Sequence, residues 1–144
     1  MSNQELTTII IGRMTATLSI LGSSLIIYMI VSDRKRKLVR PFHRLVLLMS
    51  IFDVLQSVSM VFASAAFPKE SGIYGAKGNT QTCAIQGFFM ILGMSVPLYN
   101  ACLNIYYVLT IRYGISPERF TKFEPTLHVI AILLPLYIAI PSLA

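Results

Sequence analysis

The sequence predicts an all-α membrane protein of four transmembrane helices, and three observations carry that reading. Of the 144 residues, 55% are hydrophobic and only 12% charged, where water-soluble chains carry about 25% charged residues. The apolar residues gather in four long runs, and the cations concentrate in two of the three connections between them. A chain with so few polar groups cannot cover its own surface in water, so a bilayer is its natural solvent. The length fits a single membrane domain over residues 1–144.

Met1 to Leu6 is a short polar start without the basic segment of a cleaved signal peptide. The first span, residues 7–31, is apolar apart from Arg13 and scattered Ser and Thr. It exceeds the roughly 20 residues needed to cross a bilayer. Arg13 lies near its outer end, where a guanidinium can snorkel to the headgroups. Gly22, Ser23 and Ser24 allow close approach of a neighbouring helix. Arg34, Lys35, Arg36, Lys37, Arg40 and Arg44 then follow within eleven residues, against the single acid Asp33. Pro41 fits the first turn of the next helix, where its missing N–H has no partner to lose.

The second span covers residues 45–66 and ends at Phe67 and Pro68. Asp53 lies eight residues in from Leu45, about 12 Å deep at a rise of about 1.5 Å per residue. A carboxylate at that depth costs a few kcal/mol on insertion scales, so it must face the bundle interior and find partners. Gln56 and Ser57 share its face. Asp53 serves either in a polar network or, protonated, as plain glue between helices.

Residues 69–82 form a polar loop with Gly72, Gly75 and Gly78, and the third span follows over residues 83–111. That span is longer than a crossing needs and must tilt or project. Pro97 predicts a kink, because it removes the bond to the carbonyl of Gly93. Asn100 and Asn104 stand at i and i+4, hence on one face, and Asp53 is the expected partner for their amides. Their role is either packing or switching. Residues 114–126 form a second basic loop in which Ser116 and Pro117 read as a helix start. Residues 127–144 are a fourth apolar run carrying Pro135 and Pro141.

Charge sets the expected orientation. Nine of the 12 Lys and Arg lie in the first and third connections or at their edges, and three, Arg13, Lys69 and Lys77, lie elsewhere. Such asymmetry in short loops puts those connections in the cytoplasm and the N-terminus outside, in a multi-pass membrane protein. It also explains the net charge of +6 without a nucleic-acid partner, and makes anionic lipid a partner of Arg34 to Lys37. Two distant cysteines without CxxC or Cys/His spacing indicate no metal site and no redox motif, and no cofactor is implied. His43 and His128 stand singly at loop edges, with no nucleophile and base at readable spacing, so an enzyme is not indicated.

The run from Arg40 through Leu45 to Asp53 resembles the approach to the second helix in G-protein-coupled receptors of the cyclic-AMP-receptor-like (or secretin-like) group. Cys83-Ala84-Ile85-Gln86-Gly87-Phe88-Phe89 is similar to the start of that group's third helix, and Leu98-Tyr99-Asn100-Ala101-Cys102 to its middle. The resemblance covers roughly residues 22–125. It implies the first part of a seven-helix receptor bundle, an extracellular ligand of unknown type and a heterotrimeric G protein as transducer. It also implies a disulfide from Cys83 to the second outer loop, a place for Asp53 in the network linking ligand to helix movement, and a transducer-facing position for Arg112 and Tyr113. The chain departs from related patterns: Ile111 replaces the acid of the rhodopsin-like Asp-Arg-Tyr, and Arg112 lies about one turn farther from Cys83 than in that pattern. There is no Trp, with Tyr99 standing where the cyclic-AMP-receptor-like pattern tends to have one. Helices five to seven do not follow, which makes a truncated product the expectation. The competing reading is a small four-helix transporter or scaffold subunit with Asp53, Asn100 and Asn104 as an ion or proton site.

Overall fold

A computed structural model describes residues 3–71 and 75–143. The first two residues of the polar start and Gly72 of the loop therefore lie outside the described residues. Everything regular in the described chain is helical. The elements are α1 (Asn3–Ser32), α2 (Arg34–Lys37), α3 (Pro41–Val61), α4 (Ala63–Ala66), α5 (Thr80–Leu92), α6 (Ser95–Tyr107), α7 (Pro117–Phe120) and α8 (Glu124–Ala139). A π-helical turn, Val108–Arg112, prolongs α6, and a 3-10 turn, Ile140–Leu143, follows α8.

Three stretches are long and apolar enough to cross a membrane: Leu6–Ser32, Pro41–Val61 and the combined Thr80–Arg112. The fourth expected span is not confirmed. Helix α8 has 16 residues, about 24 Å at 1.5 Å per residue, against a hydrocarbon core of about 30 Å. Pro125 sets its first turn, and Pro141 allows only a 3-10 turn beyond Ala139.

The helix boundaries follow local chemistry. Pro41 occupies the first turn of α3, as its missing N–H allows. Helix α5 starts with a capping box: Thr82 N–H donates to Asn79 Oδ1 at 2.9 Å while Asn79 N–H donates to Thr82 Oγ1 at 2.8 Å. The Thr82 hydroxyl also reaches the Ala66 carbonyl at 2.9 Å. With Gly78 N–H bonded to the Phe67 carbonyl, this closes the α4–α5 connection. Ser116 takes the N-cap position of α7 with Pro117 next, but its side chain makes no cap bond.

The third span breaks where Pro97 predicts. Helix α5 ends at Leu92, Gly93 and Met94 turn, and α6 begins at Ser95, because the Gly93 carbonyl cannot bond to Pro97 and accepts from Val96 N–H instead. Gly93 is required for a second reason. A Cβ built on it would stand 2.6 Å from Gln56 Cγ and 2.8 Å from Gln56 Cβ, so its bare backbone is what lets α3 approach the break.

Helix α1 packs along α3, α3 packs on α6 and α5, and α8 lies against α5 and α6. The inner face of α1 runs through the buried Ala16 and Ile30 and the half-buried Ser19, Ser23 and Ile27, at helical spacing. The core joins Leu45 of α3, Tyr99, Cys102 and Leu103 of α6, Phe120 of α7 and Ala131 of α8. Phe52 stacks on Tyr99 with ring centroids 5.9 Å apart, and Tyr106 meets Phe120 edge-on at 4.9 Å. Gly93→Ala is expected to lower stability by about 1–3 kcal/mol through overpacking. Thermal unfolding in neutral detergent checks this, and adding Gln56→Gly should restore most of the loss.

Candidate functional site

Two partly buried polar clusters join the helices. In the first, Asp53 Oδ2 accepts hydrogen bonds from Ser19 Oγ at 2.6 Å and Ser23 Oγ at 2.5 Å, tying α3 to α1. The serines stand one turn apart on the inner stripe of α1, so both hydroxyls converge on one oxygen. The expected partners are corrected. Asn100 and Asn104 are exposed, and the hydrogen bonds to Asp53 come from Ser19 and Ser23 instead; each asparagine follows a buried residue, Tyr99 or Leu103, and is rotated by about 100° from the inner face. The apolar and aromatic stripe takes the helix interface, and the amides are left on the outside of this bundle.

The second cluster lies at the end of the bundle that carries the basic loop. Glu124, 4% exposed, opens α8 and accepts from Arg44 Nη2 at 2.6 Å. Its other oxygen lies 3.3 Å from His128 Nε2, four residues on along α8. The Tyr99 hydroxyl stands 3.1 Å from His128 Nδ1. A carboxylate only accepts, which places a proton on Nε2; in the neutral ring Nδ1 then accepts from the Tyr99 hydroxyl. The chain Arg44–Glu124–His128–Tyr99 thus links α3, α8 and α6, and Phe52 stacked on Tyr99 returns it to α3, one residue from Asp53.

None of these four residues was singled out by pattern as a functional group. One signal was present: Glu124 and His128 stand at i and i+4 at the head of an apolar run, which is the spacing of a facing pair. Arg44 lay hidden among the cations of its loop.

The remaining predicted residues fall at the two ends. Cys83 is a free, half-exposed thiol in the first turn of α5. Arg112 and Tyr113 are exposed beyond α6, where Val108–Arg112 widens into the π-helical turn and Gly114, at φ +60°, ends it. Arg13 is exposed near the outer end of α1, and its guanidinium donates to Ser64 Oγ, tying α1 to α4. Among the described residues no group of three or more His, Cys, Asp or Glu could hold a metal ion.

Three helices of spanning length, joined through internally paired carboxylates, define a multi-pass membrane protein in which polar contacts pass from helix to helix. Residues 4–140 match the Git3 family, described as G protein-coupled glucose receptor regulating Gpa2. The chain belongs to that family and is a G-protein-coupled receptor-like signalling protein, not an enzyme. The receptor class expected from the sequence is thereby met, whereas the family is not the cyclic-AMP-receptor-like or secretin-like group. No curated protein and no solved structure matches the chain.

Removing one partner of a buried pair strands the other charge, and Arg44 is about one-third exposed, which softens the cost. Arg44→Met and Glu124→Gln are each expected to destabilise by about 1–3 kcal/mol, and the double variant by less than the sum. Thermal unfolding of the four proteins measures the coupling; strict additivity would deny that the pair holds α3 to α8.

Proposed function

We propose that this chain carries the N-terminal helices of a seven-helix receptor in the plasma membrane, which senses an extracellular sugar and signals to a Gα subunit. The observation that carries the reading is the match to a glucose-receptor family over nearly the whole chain. The family's description supplies the ligand class and the kind of transducer. Nine cations gathered at one end of the bundle support a cytoplasmic position for that end and an extracellular N-terminus.

In this orientation the roles follow position. A cleft of about 260 Å³ opens at the extracellular end between α3 and α5, with Ser59 and Gln86 among its lining residues. Their contacts to one another's backbone are long, 3.5 and 3.4 Å, which leaves both polar groups available to a hydroxylated ligand. Cys83 sits at the same end, half-exposed, as a disulfide partner for an outer loop needs. Asn100 and Asn104 face outward from these helices, where amides in hydrocarbon require further helices to pair with. Arg112 and Tyr113 stand exposed at the cytoplasmic end for the transducer.

Signalling requires that ligand prefer one arrangement of the bundle. The two carboxylate clusters are the contacts whose exchange costs most, and Phe52 on Tyr99 joins them. Asp53→Asn and Tyr99→Phe are therefore expected to leave sugar binding in place while reducing sugar-stimulated nucleotide exchange on the Gα partner by about fivefold or more. Wild-type exchange in both variants would remove Asp53 and Tyr99 from the switch. Absence of any sugar response in the wild-type receptor would remove the ligand assignment itself.

A further inference from the structure

A second groove, of about 210 Å³, runs between α1 and α3 at the cationic end. Ile26, Met29, Ile30 and Val46 form its apolar walls, and Lys37 and His43 stand at its mouth. The Lys37 ammonium donates to the Met29 carbonyl at 2.7 Å in the last turns of α1, which holds the charge over the opening. An ammonium carries three donors, so two remain for a ligand. Arg34, Lys35, Arg36 and Arg40 flank it, and none of these four is in an ion pair among the described residues. The only acid in that segment is Asp33.

We propose that this groove is a binding site for one anionic phospholipid, its acyl chain against Ile26, Met29, Ile30 and Val46 and its phosphate at Lys37, Arg36 and Arg40. The two halves of the site select the occupant together. A cationic mouth alone would suit any polyanion, but an apolar channel continuous with it, lined by residues of two membrane-spanning helices, suits a molecule with a charged head and a hydrocarbon tail. Met29 and Ile26 are 52% and 38% exposed, so the walls are open to such a chain from the bilayer. Each cation near an anionic membrane surface contributes enough attraction to matter. The site rests on the groove and its charges and stands whether or not the receptor reading above holds.

Native mass spectrometry of the purified full chain, offered an equimolar mixture of phosphatidylcholine, phosphatidylserine and phosphatidylinositol, tests the proposal. The anionic lipids should be retained in preference to phosphatidylcholine by about fivefold or more. The pair Arg36→Gln and Lys37→Gln should abolish the preference. Ile26→Trp, which fills the groove, should lower retention of every lipid. Met29→Phe gives a milder filling at an exposed position, and circular dichroism confirms helix content in each variant. Equal retention of phosphatidylcholine would overturn the proposal. Retention unchanged by both groove-filling variants would reduce the effect to surface charge and overturn the site. Displacement of the lipid by an acidic peptide but not by excess lipid would assign the surface to a protein instead.

Discussion

A carboxylate shielded from water, in hydrocarbon or in a packed core, must be paired by the protein itself. Two carboxylates, Asp53 and Glu124, impose that constraint here, and each decides how a helix meets its neighbour. Asp53 draws in two serines from α1; Glu124 draws in an arginine from α3 and a histidine from its own helix. In lipid there is no hydrophobic force to press apolar helices together, so close packing and polar bonds carry the specificity. The absence of Cβ at Gly93 lets α3 approach the break in the third span, and the small Ser19 and Ser23 on the inner face of α1 reach Asp53 directly.

The two clusters differ in what they can do. The Asp53 contact is local, a carboxylate shared between adjacent hydroxyls, and it fixes the rotation of α1 against α3. The Glu124 contact is extended, since His128 has two ring nitrogens and passes the connection on to Tyr99. Tyr99 is fully buried and belongs both to this chain of bonds and to the aromatic stack with Phe52. Movement of α6 must therefore disturb either the bond to His128 or the stack on α3. In the receptor reading proposed above, that dependence is the route between the helices, and the break at Gly93 and Met94 is its hinge.

Much of this was legible in the sequence. Apolar run length located three spans within a few residues, and Pro97 located the break because the loss of one N–H acts on a known carbonyl. The need of Asp53 for partners was legible as well. Their identity was not: periodicity shows that Asn100 and Asn104 share a face, not which face the neighbouring helix covers, and Tyr99, Cys102 and Leu103 compete for the interface and occupy it. The Arg44–Glu124–His128–Tyr99 chain was not legible because Arg44 and Tyr99 lie on segments separate from the Glu124–His128 pair, and only tertiary packing joins the three. The fourth run reads as long as a span by composition, whereas the helix it forms has 16 residues.

The facing of α1 and α3 at position 53 is open to a direct measurement. In a background of Cys83→Ala and Cys102→Ala, disulfide formation under mild oxidation in membranes is compared for Asp53→Cys combined with Ser23→Cys and for Asp53→Cys combined with Ser24→Cys. Ser23 faces Asp53, and Ser24 is exposed one residue further round the helix. The account predicts rapid cross-linking of the first pair and little of the second. Equal rates, or a faster second pair, would contradict it.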